Sequence, residues 1–401
     1  MQHRLLFVWE LGANYGHLAR LIPLAEAQRA LGREVLFAVS DLQVAEKLLI
    51  PKDFSFVLIL KIRTDGGNGI ASNYAELLLN CGYSNKKALQ LAVGEWLHLL
   101  RQYKPDLLVL DHSPTVLLAN KIAKIPAIQI GAGFEMPPQD NWPEWIPLNV
   151  SQQIKLKQSE LVLLINMNGV IESYSGQRLE SIVDLFDGCN QLLTTFSELD
   201  HYQKRVNAQY LSPILYEVSA HSISWHSNKT KKVFIYVWPT MPGLNHLLGA
   251  LSEMKMEVVA VIPNITELAI NRFARMQIRI YKHAVDIAEL AQEADLLITH
   301  GIGTANTFLC KGVPLLIIPE TTEQLMLGQC IEKHGFGLAM SPRRGKVDFE
   351  LILNTLLNAA TYRDAAQKFA HKYKNLKSLD AINNVTQVIN DTLMLQKMIT
   401  N

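Results

Sequence analysis

The sequence predicts an α/β protein built from two doubly wound parallel sheets in succession. Three observations carry that prediction. Short apolar runs alternate with helical patterns along the chain, the signature of helix and parallel-sheet layers. The pattern restarts near Lys232 after a polar, unpatterned stretch, HSISWHSNKTKK. The chain has 401 residues and is 49% hydrophobic, enough for two cores at about 100–200 residues per domain.

In the first half, Leu5 to Trp9 reads as a strand, followed by the loop LGANYG and an amphipathic helix, HLARLIPLAEAQRALG, closed by Gly32. Glu34 to Val39, Phe56 to Leu60, Asp106 to Leu110 and Ala127 to Ile130 are further strands, and Ser84 to Arg101 is helical. The segment from Thr64 to Tyr83, with Gly66, Gly67 and Gly69, reads as a mobile loop. In the second half, KKVFIYV is a strand, LNHLLGALSEM a helix and VVAVIP a strand. Ile278 to Tyr281, Asp295 to Thr299 and Pro314 to Ile318 are strand candidates, and Asp348 to Asn401 is mostly helical. The expected division is 1–214, a linker at 215–231, a second domain at 232–380, and a terminal helix at 381–401 that packs back toward the first domain.

Composition excludes several classes. The formal net charge is +1, without blocks of like charge, so nucleic acid is not an expected partner. Cys81, Cys189, Cys310 and Cys330 form no CxxC pair, which favours reduced thiols in a cytoplasm over disulfides or zinc. No run approaches ~18 uninterrupted apolar residues, so no membrane span is expected. The N-terminus, MQHRLLFVWELG, is too short an apolar run for a signal peptide. No D-x-D, HExxH or GxSxG occurs, and no metal is expected.

In open α/β sheets ligands bind beyond the carboxyl ends of the strands, and three groups stand there. His17 follows the loop containing Gly12 and Gly16 and sits in the first turn of its helix, where the helix dipole disfavours the imidazolium and leaves the ring available as a base. A surface or capping histidine is the plainer alternative. Asp111 ends the run PDLLVLD and is placed to orient that imidazole, or else to cap the helix after Pro114. The segment ITHGIGTANTFLCKGVPLLIIPETTEQ feeds a buried strand into a loop with Gly301, Gly303 and Thr304 at a helix start, a natural phosphate site or an ordinary strand–helix turn. The segment GAGFEMPPQDNWPEWIP offers Phe134, Trp142 and Trp145, either to line an apolar acceptor pocket or to pack their own loop.

These residues resemble a known family. The run from His300 through Gly312–Val313–Pro314, Pro319, Glu323–Gln324 and Gly335–Phe336–Gly337 looks like the donor-binding signature of UDP-glycosyltransferases, and more widely of family 1 and macrolide-type glycosyltransferases. YGHLARLIPLAEAQRALG, KPDLLVLD and GAGFEMPP extend the likeness over nearly the whole chain. The resemblance implies the GT-B fold, two Rossmann-like domains facing a central cleft, and an inverting, metal-independent transfer needing no cofactor beyond the UDP-sugar or other nucleotide diphosphate sugar used as donor. It implies His17 as general base and Asp111 as its partner. Gly301, Gly303 and Thr304 fall at the diphosphate site, Glu323 and Gln324 at the donor-sugar hydroxyls, and the loop around Ala284 and Val285 at the nucleobase. The family pattern is His-Gly-Gly-x-Gly-Thr. An ungapped match on Gly303–Thr304 puts Thr299 at the histidine position, and a loop one residue shorter puts His300 there. The loop VWPTMPGLN lacks the glycine–serine pattern of many relatives.

The leading expectation is therefore a cytoplasmic hexosyltransferase acting on a hydroxyl of an apolar, small or lipid-like acceptor. Two alternatives stand beside it: a sugar-nucleotide epimerase of the same fold, and a non-catalytic protein that binds a nucleotide or partner.

Overall fold

The computed structural model describes the chain apart from residues 1, 13–14, 60, 63–70, 141, 204, 207, 216–221, 228–229, 284, 346 and 401. The chain divides into two compact units. One comprises Met1–Ser197, Tyr202–Tyr216 and Lys377–Asn401, and the other Glu198–His201 and Glu217–Leu376.

The first unit is built on β1 (Arg4–Trp9), β2 (Glu34–Val39), β3 (Ser55–Leu58), β4 (Leu107–Asp111), β5 (Ala127–Gly131), β6 (Cys189–Thr194) and β7 (Gln209–Leu211). They form one parallel sheet in the order β3-β2-β1-β4-β5-β6-β7. The inner strands are apolar runs because helices cover both faces, so β1 and β4 are buried almost throughout. Those helices are α1 (Gly16–Ala30), α2 (Leu42–Leu49), α3 (Tyr74–Leu78), α4 (Lys86–Tyr103), α5 (Pro114–Ala123) and α6 (Val150–Ser173). Their starts follow local chemistry. Asp41, Asn73 and Asn85 each accept a backbone N–H of the first turn, and Asn149 forms a reciprocal cap with Gln152.

The second unit repeats the plan with β8 (Lys232–Tyr236), β9 (Glu257–Val261), β10 (Ile278–Tyr281), β11 (Leu296–Thr299), β12 (Leu315–Ile317) and β13 (Gly337–Ala339), ordered β10-β9-β8-β11-β12-β13. Its helices are α7 (Leu244–Glu253), α8 (Glu267–Ala274), α9 (Ile287–Glu293), α10 (Ile302–Leu309), α11 (Thr322–Lys333), α12 (Phe349–Asn358) and α13 (Ala360–Tyr373). The last helix, α14 (Ser378–Thr400), lies with the first unit, where Ala381, Val385, Ile389 and Leu393 join the core that α1 also fills.

Two segments differ from the sequence expectation. Of the stretch 64–83, residues 64–70 lie outside the described residues. The remainder is not a loose loop: Tyr74–Leu78 is helical, and Leu79–Tyr83 continues it as a wide turn that ends through Gly82 at φ 103°. Burial of Tyr74, Leu78 and Tyr83 holds it down. Within the expected linker, Ser222–Ser227 is tied to the second unit. The Ser222 hydroxyl donates to Glu289, the Trp225 indole N–H to the Leu290 carbonyl, and the His226 and Ser227 amides to the Glu257 carboxylate.

Candidate active site

In each sheet the order of strand addition reverses beside the first strand, and the loops leaving the two central strands diverge there. In the first unit those strands are β1 and β4, and their register pairs Trp9 with Asp111. The loop after β1 leads into α1, which places His17 at its second residue. The result is a close pair: His17 Nδ1 lies 2.8 Å from Asp111 Oδ1. Because a carboxylate only accepts, Nδ1 is the donor, and in the neutral ring the lone pair falls on Nε2. The Trp9 ring stacks on the imidazole at 5.4 Å. A Cβ at residue 12 would fall 2.3 Å from His17 Nε2, and Gly12 has φ +94°, so only glycine leaves that nitrogen clear. Asp111 does not cap α5. Ser113 occupies the cap position, and its hydroxyl donates to the Val8 and Asp111 carbonyls instead.

Two charged residues that sequence reasoning missed complete this network. Arg20, one turn beyond His17, donates through one guanidinium nitrogen to Asp111 Oδ2 at 2.7 Å and to Glu135 Oε1 at 3.1 Å. Its i,i+3 spacing from His17 was the available signal. Glu135 Oε1 also accepts the Ala132 amide at 2.6 Å, and Gly131 has no Cβ to strike that oxygen. Burial alone would raise the Glu135 carboxyl, but Arg20 and His112 outweigh it and hold it at about 2. Burial likewise works against the Arg20 cation, and Asp111 and Glu135 reverse that, raising its proton affinity. Asp111 is fully buried, and the Arg20 cation lies 2.7 Å from its Oδ2.

A second carboxylate stands at the end of β1. Glu10 accepts the Thr115 amide at 2.8 Å and the Thr115 hydroxyl, capping α5 from a neighbouring strand. Burial raises it to about 7, partly offset by Thr115. His112, next after Asp111, has φ 45° and is driven down to about 4 by burial, so it is neutral at physiological pH. Its ring lies 6.1 Å from His17, 6.1 Å from Tyr74 and 6.5 Å from Phe134. Phe134 meets Trp145 at 4.9 Å, and Trp142 meets Tyr74 at 5.2 Å. The three aromatic residues expected at the acceptor are therefore in one cluster with His112. All three are buried, and they also hold their own loop down. His112 Nε2, the Tyr74 hydroxyl and both indole N–H groups are buried there with no hydrogen-bond partner among the described residues.

In the second unit the reversal falls between β8 and β11. Thr299, the last residue of β11, is fully buried, and its hydroxyl accepts the Gly301 amide at 3.3 Å. The ring at the loop edge belongs to His300. It donates from Nδ1 to the Ile318 carbonyl (3.1 Å) and accepts the Trp238 amide at Nε2 (2.8 Å). Burial lowers its proton affinity, which suits the neutral ring those bonds require. His300 thus ties the loops after β8 and β12 to β11 and has both nitrogens engaged.

Gly301 caps α10 and Gly303 and Thr304 follow in its first turn, which holds no acidic residue. A Cβ at Gly301 or Gly303 would meet nothing within 4 Å, so neither is required by packing, and open space adjoins the helix N-terminus. Glu323 and Gln324 open α11 after Thr321 caps it. Gln324 Oε1 accepts the Glu320 amide at 2.8 Å, and Glu323 lies 3.2 Å from His201 Nε2. Val285 is buried, and Ala284 lies outside the described residues. No cluster of three or more metal-ligating side chains occurs among the described residues.

The comparisons with known proteins agree with this architecture. A PGL/p-HBAD biosynthesis glycosyltransferase of Mycobacterium tuberculosis is 23% identical over 399 residues, covering 93% of this chain and 89% of its own. A PGL/p-HBAD biosynthesis rhamnosyltransferase of Mycobacterium bovis is 22% identical, covering 93% and 84%. Among solved structures, glycosyltransferase VinC in complex with DTDP superposes with a TM-score of 0.70 at 15% identity, covering 97% of this chain and 99% of its own. The spinosyn rhamnosyltransferase SpnG complexed with spinosyn aglycone gives 0.65 at 16%, covering 95% and 99%. No protein-family profile matches the chain. The fold is GT-B, and the chain is a glycosyltransferase. Its resemblance to the macrolide-type, family 1 enzymes runs through both units.

Proposed function

We propose that this glycosyltransferase is inverting and metal-independent, and that it moves a sugar from a pyrimidine nucleoside diphosphate to a hydroxyl of an apolar acceptor. The observation that carries the reading is the His17–Asp111 pair, with Nδ1 bonded at 2.8 Å and Nε2 kept clear by Gly12. His17 Nε2 takes the proton of the acceptor hydroxyl as its oxygen bonds to the anomeric carbon. The bond from that carbon to the diphosphate breaks, and the nucleoside diphosphate departs with the electron pair. Asp111 stabilises the imidazolium, and Arg20 keeps Asp111 ionised and aimed. The first turn of α10, through the Gly301 and Gly303 backbone and Thr304, offsets charge on the departing diphosphate. Glu323 and Gln324 hold sugar hydroxyls, Val285 borders the base, and the cluster of Phe134, Trp142 and Trp145 receives the acceptor. The thymidine diphosphate bound to VinC supports a thymidine donor beside the uridine one.

The test has two arms. UDP and dTDP, with their sugars, are screened for a rise in melting temperature against NAD and ATP. Ligand at about 100 times its dissociation constant adds about 2.7 kcal/mol. The gain is expected to shrink in Thr304→Ala. No rise with any pyrimidine diphosphate, at concentrations up to millimolar, removes the donor assignment. The second arm reads the anomeric configuration of the product by NMR, and retention would rule out a single displacement at His17.

A further inference from the structure

The helix α6 carries an apolar stripe that the rest of the first unit leaves uncovered. Its inward face buries Leu156, Leu163, Met167, Val170 and Ile171. On the roughly opposite side, Val150, Ile154, Leu161, Val162 and Ile165 are 45–72% exposed. Steps of four, seven and four residues from Val150 to Ile165 put four of them within about 60° of one another around the axis, along about 22 Å of helix. Isolated exposed leucines need no explanation, but a continuous stripe of this length marks a contact surface.

The charges beside the stripe identify the partner. Lys157 borders one side, and Lys155 stands beyond Val162 on the other, both exposed. Lys86 of α4 adds a third ammonium group against Gly169, further along α6. The one carboxylate between Val150 and Gly169 is Glu160, which is mostly buried and bonded to Asn73 and Lys157. An apolar stripe flanked by lysines is the pattern of a helix that lies in the interface of an anionic bilayer. A two-fold contact between copies would instead bring the same lysines together, while the carboxylates of the helix already have partners, Glu160 in Asn73 and Lys157 and the half-exposed Glu172 in Arg178. No helix among the described residues is long and apolar enough to cross a membrane, so this one lies on the surface.

We propose that the exposed stripe of α6, with Lys155, Lys157 and Lys86, docks the protein on an anionic lipid surface. The proposal is independent of the transfer chemistry read from His17 and α10. The full chain is sedimented with vesicles of phosphatidylcholine, with and without phosphatidylglycerol, at low and high salt. Binding is expected to the anionic vesicles alone, and to weaken with salt. The combined variant Ile154→Ser, Leu161→Ser, Ile165→Ser should lose it, with an unchanged melting temperature because these side chains are exposed. Lys155→Gln and Lys157→Gln should each lower the partition constant roughly five-fold. Three results overturn the proposal: no sedimentation of the unaltered protein, equal sedimentation of the serine variant, or a dimer in light scattering that the serine variant dissociates. The last result would assign the stripe to a second copy of the chain.

Discussion

Replacing Arg20 by methionine removes the cation from a buried network while keeping the length of the side chain. Asp111 is fully buried, and the Glu135 side chain is 5% exposed, so neither gains water in exchange. Breaking such a pair by removing one partner costs ~3–5 kcal/mol. Against its burial, the Glu135 carboxyl is held down from 4.5 to about 2 by Arg20 first and His112 second, which points the same way. At ~2–4 °C per kcal/mol for a unit of this size, the variant should melt roughly 10 °C lower at pH 7. The sign of the pH dependence follows from the depressed carboxyl. In the unaltered protein the stabilisation by Glu135 is complete above about 4.5 and is lost as pH falls through about 2. Without Arg20 the buried carboxylates bind protons more readily, so the variant regains stability as pH falls from 7 toward 4. His112, at about 4, stays largely neutral across most of that window. The gap between the two proteins should therefore narrow on acidification, read by circular-dichroism melts across that range. A loss under about 1 kcal/mol at neutral pH, or a gap that ignores pH, would refute the assignment of Arg20 as the compensating charge.

Gly12→Ala should lower turnover at least as much as losing the base, because its Cβ meets His17 Nε2 at 2.3 Å; near-normal kcat in the folded variant would show that nitrogen to be a bystander. His17→Ala should lower kcat by roughly 10²–10⁴-fold with donor affinity unchanged, and Asp111→Asn by less; equal or reversed losses in transfer assays would redistribute the roles. Glu10→Gln should leave stability alone near pH 4 and raise it above pH 7, by up to about 3 kcal/mol, since burial holds the native carboxyl at about 7; chemical denaturation at both pH values reads the difference. EDTA should leave transfer intact, and loss restored by one divalent ion would overturn the metal-independent reading.

The alternation of apolar runs with helical patterns made both sheets legible, because strands covered on both faces read as continuous apolar segments. What escaped were elements without that contrast. The strands β7 and β13 are three residues long and lack the continuous apolar run that makes the equally short β12 legible. The helix α6 spans 24 residues but is apolar on its exposed side as well as its buried one, which flattens the signal of an amphipathic helix. The pairing of His17 with Asp111 was foreseeable from topology, since both sit at carboxyl ends of adjacent strands. Arg20 offered only its spacing from His17 and Glu135 nothing, because an arginine on a helix and a glutamate after a strand are ordinary surface residues until the fold buries them.

The two units use one architectural position for opposite electrostatic ends. At the β1/β4 reversal the fold collects ionisable groups: His17, Asp111, Arg20 and Glu135 are joined by bonds of 2.7–3.1 Å. In this network a buried carboxylate faces the ring and is itself faced by a cation. At the β8/β11 reversal the fold does the reverse. Its histidine has both nitrogens tied to backbone groups, burial favours its neutral form, and the adjoining helix start offers glycine backbone and a threonine without an acidic neighbour in that turn. That arrangement has little capacity for proton transfer and a ready one for an anion. His300, which reads as a ligand residue in sequence, also braces the loops after β8 and β12 through its two ring hydrogen bonds. A freely titrating ring at that point would loosen the loops that set the helix N-terminus, whereas a neutral, doubly bonded one fixes them and leaves charge recognition to the backbone.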